Sequence, residues 1–226
     1  MTTAAAVTPL LAAVPKLWPG CTITILGGGP SLTEADVRYI GERPHLTRVI
    51  AIKEAYLLAP WADVLYACDA SWWAFYDGAP TFTGLKYSLE DWPAEYERYD
   101  PEAIAARRRR YPAVTLLRHT GTDGLEFDPT GLRTGYNSGY QAINLAVHLG
   151  ATRIVLLGFD CWPAPDGRQT WYTTARPHLT SPYPVFMQSF ASLVEPLTAA
   201  GVEVINCSRF TLLRAFPRQP LEEVLP

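Results

Sequence analysis

The sequence predicts an α/β protein with a mostly parallel sheet and helices on both faces. Two observations favour this class. Apolar runs of strand length alternate with helical stretches along the chain, as they do in proteins with helix-covered parallel sheets. The 226 residues also contain no internal repeat or low-complexity linker, which favours one Rossmann-like domain. We set its bounds at residues 21–217, with an N-terminal extension over 1–20 and a tail over 218–226.

The first half of the chain predicts strands separated by short helices. A buried strand is expected over 22–27, followed by a helix over 31–41. Ser31 would be the N-cap of that helix, and Glu34 would complete a capping box. A short aromatic helix begins at Ser71, and a polar helix covers 101–110. The remaining strands of this half are predicted over 48–52, 62–69, 85–89 and 113–118.

The second half continues the alternation. A helix is predicted over 137–150, because Asn137 or Ser138 can cap its start and Gly150 can end it. The most apolar strand of the chain follows, and a loop rich in Trp, Tyr, Arg and His then precedes a second long helix. The segments predicted here are the strand 151–160, the loop 161–181, the helix 183–199, the strand 202–208 and a short closing helix.

Composition excludes several classes of protein. The net charge of −3 argues against general coating of nucleic acid, which depends on clustered Lys and Arg. The four cysteines are scattered without a C-x-x-C pair and are expected to be reduced. The N-terminus has no cationic signal-peptide start, and Pro9 and Pro15 interrupt its apolar stretch. We therefore expect a cytoplasmic protein with no membrane partner, and a homo-oligomer is left open.

A run of three glycines follows the first predicted strand. Gly27, Gly28 and Gly29 lead through Pro30 and Ser31 into the first helix. Glycine is used where a ligand approaches the backbone, and the N-terminus of a helix presents N–H groups to an anion. This pattern predicts a phosphate site. The alternative is a tight turn that binds nothing.

Polar residues stand at the ends of other predicted strands. Lys53 follows one predicted strand, and Asp69 and Asp160 are the last residues of two others. Ligands of open α/β sheets bind outside these carboxyl ends. A glycine turn, a cation and two acids on one edge predict a cleft. Each residue also has a structural explanation, because Asp69 can cap a helix, Asp160 can brace its loop and Lys53 can be solvated.

Several familiar motifs are absent. The chain has no G-x-x-x-x-G-K-[ST] sequence, which argues against a P-loop kinase. "GGGPSL" does not complete G-x-G-x-x-G, so a nicotinamide enzyme is disfavoured. The chain also lacks G-x-S-x-G, H-E-x-x-H and the D-x-D pair that holds metal in many sugar-nucleotide enzymes.

Four segments together resemble a known superfamily: "ITILGGGPSL", "ACDASWW", "NSGYQAINLAVHLGATRIVLLGFDCW" and "INCSRFTLLRAFP". They are similar, in order, to the family 42 glycosyltransferases (bacterial sialyltransferases), and the likeness spans about residues 22–217. The same superfamily contains the archaeal 6-hydroxymethyldihydropterin diphosphokinase-like proteins and many phage proteins, and this chain looks most like the phage-borne branch.

The resemblance implies a nucleotide at the strand ends, and it assigns roles by position. Gly28 stands where the sialyltransferases have asparagine, and Lys53 and Asp69 stand where they have nucleotide-binding asparagines, which points away from a CMP-sugar donor. One leaving-group tyrosine aligns with Trp162, and the other corresponds to Tyr172. His178 aligns with the catalytic base and lies in a polar loop beside Arg176. The implied nucleotide contacts are Gly27, Gly28, Gly29, Pro30, Ser31, Lys53, Asp69, Asn137, Ser138, Gly139, Asp160 and Trp162.

One basic run stands apart from these segments. Arg107, Arg108, Arg109 and Arg110 end the polar helix. They form either a solvated helix face or a patch for phosphate, which includes a polynucleotide acceptor.

Three functions follow from these observations. The first is a glycosyltransferase that needs no cofactor, with a nucleotide sugar as donor and His178 as general base. Tyr172, Arg176, Trp162 and Lys53 would surround its leaving phosphate. The second is a diphosphokinase-like enzyme that uses ATP and Mg²⁺ held by Asp69 and Asp160. The third is a non-catalytic nucleotide-binding phage protein. The acceptor stays open and includes a modified DNA base.

Overall fold

Eight parallel strands form one sheet in a computed structural model that describes residues 12–90, 101–173 and 181–226. The sheet order is β6-β5-β4-β3-β2-β1-β7-β8, and every neighbouring pair is parallel. The strands are β1 (Thr22–Leu26), β2 (Arg48–Ile52), β3 (Val64–Tyr66), β4 (Leu85–Leu89), β5 (Val114–His119), β6 (Gly131–Leu132), β7 (Arg153–Leu157) and β8 (Glu203–Asn206).

Helices connect these strands and cover both faces of the sheet. They are α1 (Glu34–Gly41), α2 (Ala55–Leu58), α3 (Ala70–Phe75), α4 (Pro101–Arg110), α5 (Ser138–Leu149), α6 (Tyr183–Ala191), α7 (Val194–Ala199) and α8 (Leu221–Val224). Alternate residues of a strand point to opposite faces, so Ile23 and Ile25 belong to one core and Leu26 to the other. The first core contains Ile143 of α5, and the second contains Trp73 of α3. The predicted fold class is confirmed.

The start of α1 differs from the prediction. The capping box is formed by Thr33 and Asp36, and the helix therefore begins at Glu34. Ser31 lies outside the helix because its N–H and its hydroxyl both bind the carboxylate of Asp160. The predicted Ser31–Glu34 box is wrong, because a contact between residues far apart in sequence competes for the Ser31 side chain.

Two other differences have local causes. The helix predicted over 183–199 is divided into α6 and α7, because Pro196 has no N–H to bond the carbonyl of Ser192 four residues earlier. The four-residue α2 and the two-residue β6 were not predicted, since elements this short show no hydrophobic period. Asn137 caps α5 and Gly150 ends it with a φ of 107°, as predicted.

Residues 12–20 run beneath the C-terminal end of α5. Three backbone hydrogen bonds hold this segment: Val14 N donates to Pro129 O at 2.9 Å, Trp18 N to Leu149 O at 2.8 Å, and Gly20 N to Gly150 O at 2.9 Å. The bonds to Leu149 and Gly150 satisfy carbonyls that the end of α5 leaves without partners in the helix. The domain boundary at residue 20 stays a prediction. In the described ranges, no helix has the length and apolar character needed to cross a membrane.

Candidate functional site

The order of the strands reverses at β1. From β1 the chain builds the sheet outwards through β2 to β6, and it returns to place β7 on the other side of β1. The crevice at such a switch point is where open α/β sheets bind ligands. The glycine turn leaves β1 there, beside the segment Gly158–Asp160 that leaves β7.

Two of the three glycines are required by packing between these two strand exits. A Cβ at Gly27 would lie 2.6 Å from Gly158 O, and one at Gly29 would lie 2.5 Å from the same oxygen. Gly28 differs, because its nearest neighbour would be Tyr172 Cε1 at 3.7 Å, an ordinary contact. Packing within the described chain therefore explains glycine at 27 and 29 and leaves position 28 unexplained.

The N–H groups of the turn are mostly used inside the protein. Gly27 N donates to Leu157 O at 2.7 Å, Gly29 N to Gly158 O at 2.8 Å, and Ser31 N to Asp160 Oδ2 at 2.7 Å. Within the residues that the structure describes, the Gly28 N–H has no hydrogen-bond partner. Among residues 27–31, the geometry narrows the predicted main-chain phosphate contact to this one group, since Pro30 has no N–H.

Asp160 braces the two strand exits. The residue is 2% exposed, and its carboxylate accepts two hydrogen bonds from Ser31: Oγ donates to Oδ1 at 2.5 Å, and N donates to Oδ2. Burial raises the pKa of Asp160 to about 6, although both hydrogen bonds from Ser31 act in the opposite direction. These contacts agree with the structural alternative for Asp160, in which it braces its loop.

Lys53 and Asp69 form an ion pair across the ends of β2 and β3. Their side chains are 25% and 22% exposed, so the pair lies at the surface of the cleft. Asp69 does not cap α3 with its side chain, and Lys53 has a left-handed backbone with a φ of 50°. Strained backbone of this kind is concentrated at functional sites. Asp69 is therefore not a side-chain cap of α3, and Lys53 is paired with an acid instead of being only solvated.

The start of α5 closes this side of the cleft. Ser138 Oγ lies 3.2 Å from Cys68 Sγ, which lies 3.5 Å from Asp69 Oδ1. Asn137 caps the helix by accepting a hydrogen bond from Tyr140 N at 2.8 Å. Gly139 lets α5 approach the segment that leaves β7, because a Cβ there would lie 2.6 Å from the ring of Phe159. Burial raises the pKa of Cys68 to about 12, so it remains a neutral thiol.

The loop after β7 folds over the glycine turn. Trp171 N donates to Gly28 O at 3.1 Å, and Tyr172 Oη lies 3.9 Å from the Cβ position of Gly28. The structure thus brings together two predicted site residues, Gly28 and Tyr172. Trp162 is 54% exposed and follows Cys161, which has a φ of 50°. The predicted Arg176 and His178 lie outside the described residues.

The arginine run is divided between two environments. Arg107 donates to the carbonyls of Leu89 and Glu90, and Arg108 pairs with the buried carboxylate of Glu90. Arg109 and Arg110 are exposed at the end of α4. Half of the run therefore holds the end of β4 and is neither a solvated helix face nor a phosphate patch.

A groove of about 540 Å³ lies at the opposite, amino edge of the sheet. Val14, Phe127 and His148 are among its lining residues. Burial lowers the pKa of His148, and its Nε2 lies 3.0 Å from Gly131 O. The groove is far from the strand exits, and we assign no chemistry to it.

Sequence reasoning missed two residues near the site. Arg209 NH2 donates to Asp36 Oδ1 at 2.6 Å, which places a guanidinium beside the start of α1. Tyr136 is 50% exposed and has a φ of 60°, immediately before the cap of α5. The signal for Tyr136 was present in the sequence, because "TGYN" combines turn residues with an aromatic.

The comparisons with known proteins give one structural likeness. No family model matches the chain, and no curated protein does. The chain is similar in fold to a glycosyltransferase. The MAf glycosyltransferase from Magnetospirillum magneticum AMB-1 superposes with a TM-score of 0.60 and 11% identity. The match covers 92% of this chain and 35% of that one, so this chain spans about a third of its neighbour's length. At this identity the likeness shows a shared fold, and the resemblance to family 42 stays a prediction.

Proposed function

We propose that the protein is a nucleotide-binding transferase, and specifically a glycosyltransferase that moves a sugar from a nucleotide-sugar donor to a hydroxyl acceptor. The observation that carries this proposal is Gly28. It lies at the switch point of the sheet, has an N–H without a partner in the described chain, and is glycine for no reason that packing supplies. A bound phosphate supplies that reason.

The polar groups of the cleft lie in a line, at the neighbouring ends of β1, β2 and β3. Neighbouring strands are about 4.8 Å apart, so the ends of β1, β2 and β3 span about 10 Å. Gly28, Lys53 and Asp69 follow one another along this line. They suit a first phosphate at Gly28, a second phosphate at the Lys53 ammonium and ribose hydroxyls at the Asp69 carboxylate.

The chemical step that we propose is a displacement at the anomeric carbon. His178 removes the proton from the acceptor hydroxyl, and the oxygen then forms a bond to the anomeric carbon. The bond from that carbon to the donor phosphate breaks, and the phosphate leaves with the electron pair. Tyr172, Arg176 and Lys53 would stabilise its negative charge, and Trp162 would line the same loop.

A screen of ligands by thermal shift tests the binding step. UDP, GDP, ADP and CMP, and their sugar derivatives, are each added with and without Mg²⁺. We expect the diphosphates to raise Tm more than CMP, because Lys53 offers a charge for the second phosphate. A preference for CMP would instead favour a sialyltransferase-like donor and leave Lys53 without a role. No shift with any of these ligands would contradict the proposed function.

His178→Ala tests the chemical step. A general base contributes about 10²–10⁴-fold to rate, so turnover should fall by that factor. Donor affinity should change little, because the imidazole is expected to face the acceptor. Transfer and donor binding are measured separately, and added imidazole should restore part of the rate. If transfer stays within about threefold of wild type, well below that range, His178 is not the base.

The two alternatives make different demands on the site. A diphosphokinase would need Asp69 and Asp160 as ligands of Mg²⁺, whereas both oxygens of Asp160 are engaged by Ser31. Across the described ranges, no group of three or more His, Cys, Asp or Glu side chains is arranged to hold a metal. A non-catalytic protein would bind nucleotide without transfer, and the same two assays would distinguish it.

A further inference from the structure

Tyr136 occupies a turn that disfavours it. Asn137 N donates to Thr134 O at 3.1 Å, which closes a four-residue turn with Gly135 and Tyr136 at its centre. Their φ values are 47° and 60°, and two positive values mark a type I′ turn. Both central positions of this turn prefer glycine, asparagine or aspartate, because other side chains strain a left-handed backbone.

Packing explains the first central residue of the turn and does not explain the second. A Cβ at Gly135 would lie 2.1 Å from the ring of Tyr140, so only glycine fits. Tyr136 is 50% exposed, and within the described chain it makes no hydrogen bond, ion pair or ring contact. An aromatic side chain is thus kept at a strained position where no polar or ring contact within the described chain holds it.

The turn lies at the far end of the line of polar groups. Thr134 N donates to Gly121 O at 3.0 Å and Gly135 N to Thr122 O at 2.9 Å, so the turn is tied to the loop that leaves β5. In the sheet, β5 lies on the side of β3 away from β1. Two residues after Tyr136, Ser138 contacts Cys68 beside Asp69. Tyr136 therefore lies beyond Asp69, on the side away from Gly28.

We propose that Tyr136 is the aromatic platform on which the base of the bound nucleotide stacks. The inference rests on the proposed function, which places phosphates at Gly28 and Lys53 and ribose at Asp69. The base is then the next group along this line, and the half-exposed ring of Tyr136 is the aromatic surface there. Strain at a binding residue is expected where function and stability compete.

Three variants and two kinds of ligand test this role. Tyr136→Gly and Tyr136→Asn fit the left-handed backbone and remove the ring, whereas Tyr136→Phe keeps the ring. Ala79→Gly is the matched control, because Ala79 also has a φ of 50° but packs near Lys86, away from the cleft. For each protein, Tm is measured without ligand, and Kd is measured for UDP, GDP, ADP and inorganic pyrophosphate.

We expect Tyr136→Gly to keep or raise the unliganded Tm, by up to about 4 °C. Ala79→Gly relieves the same kind of strain but removes a buried methyl group, so its Tm should stay within about 4 °C of wild type. Tyr136→Gly and Tyr136→Asn should weaken nucleotide binding by about 5- to 100-fold, the range of base–aromatic stacking. Pyrophosphate, which has no base, should bind all variants equally, and Tyr136→Phe and Ala79→Gly should bind nucleotides as wild type does.

Two outcomes would overturn the role of Tyr136 alone, and a third would overturn the proposed function as well. Equal nucleotide affinity in wild type and Tyr136→Gly would show that the ring does not stack on the base. Parallel loss of pyrophosphate and nucleotide binding would show that the variant damages the phosphate site instead. If wild type binds none of the three nucleotides, the proposed function fails, and the role of Tyr136 fails with it.

Discussion

Gly28 and Gly29 are neighbours in the chain with different reasons for being glycine. Gly29 faces the backbone of Gly158 and the carboxyl carbon of Asp160, both under 3 Å from its Cβ position, whereas Gly28 faces the open side of the turn. One glycine lets two strand exits pack together, and the other leaves space at the cleft. The same substitution should therefore destabilise the fold at position 29 and leave its stability nearly unchanged at position 28.

Gly28→Ala and Gly29→Ala form a matched pair for this difference. Gly29→Ala should lower the free energy of unfolding by about 1–3 kcal/mol, because its Cβ overlaps backbone atoms. Gly28→Ala should change it by less than about 0.5 kcal/mol. The larger Gly28→Val should also keep the fold but abolish the Tm increase caused by nucleotide. Equal nucleotide-induced shifts in Gly28→Val and wild type would refute the phosphate contact.

The buried carboxyl of Asp160 should make the stability of the fold depend on pH. Its pKa is raised in the folded protein from 3.8 to about 6, so the folded state binds its proton more tightly than the unfolded state does. The stability that this group contributes is fully present below pH 3.8 and is lost as the pH rises through 6. Asp160→Asn removes this titration, while its amide can still accept from Ser31 N and donate to Ser31 Oγ.

Unfolding by urea at pH 4 and pH 7 measures the effect. Between these values, wild type should lose on the order of 2–3 kcal/mol relative to Asp160→Asn. Comparing the two proteins at each pH cancels the contributions of other carboxylates, such as Glu126, whose pKa is lowered by hydrogen bonds. The same pH dependence in both proteins would mean that Asp160 is ionised normally.

At the scale of single elements, α4 shows how a basic run can belong to the fold. Arg107 and Arg108 tie the last turns of the helix to the end of β4, while Arg109 points to solvent. Arg107→Ala would leave the carbonyls of Leu89 and Glu90 without this donor. The run therefore contains residues that hold the structure and one exposed residue, Arg109, that is available to a partner.

Separate alanine variants test this division. Arg107→Ala should lower the free energy of unfolding by about 1–3 kcal/mol, the cost of losing a donor to buried carbonyls. Arg109→Ala, the control on the same helix, should change it by less than about 0.5 kcal/mol. If Arg109→Ala proves as destabilising as Arg107→Ala, the division is wrong. Retention of Arg109→Ala on single-stranded DNA, compared with wild type, tests the acceptor hypothesis separately.

Elements formed by contacts between residues close in sequence were predicted well, and those that depend on distant residues were not. Asn137 and Gly150 bounded α5 correctly, because helix caps act within a few residues. The start of α1 was misplaced, because Ser31 is bonded to a residue that is distant in sequence. The sequence pattern placed the ends of β1 and β2 to within a residue and those of β3 and β7 to within three residues. It did not show that Gly27 and Gly29 serve packing, since that depends on how β7 lies against β1.

At the scale of the whole molecule, the two hydrophobic cores share one sheet. Ile143 is fully buried in the core beneath α5, and Trp73 is fully buried in the core on the other face. Strands such as β1 contribute alternate residues to both cores. Loss of packing on one face therefore weakens the strands that support the other.

Ile143→Ala tests whether the faces unfold together. The cavity should cost about 2–5 kcal/mol. We expect far-UV circular dichroism and tryptophan fluorescence, to which Trp72 and Trp73 contribute from the opposite face, to show the same lowered midpoint in urea. Two separate transitions would show that the cores are independent.

The position of β1 has a consequence for synthesis. Ser31 and Asp160 are 129 residues apart, and the site exists only when β7 has paired with β1. At 5–20 residues per second, a ribosome takes roughly 6–26 s to make the intervening chain. During that interval β1 has one open, apolar edge of the kind that invites pairing with other chains. The nascent protein thus exposes the unpaired edge of β1, which is prone to aggregation, until the last third of the chain emerges.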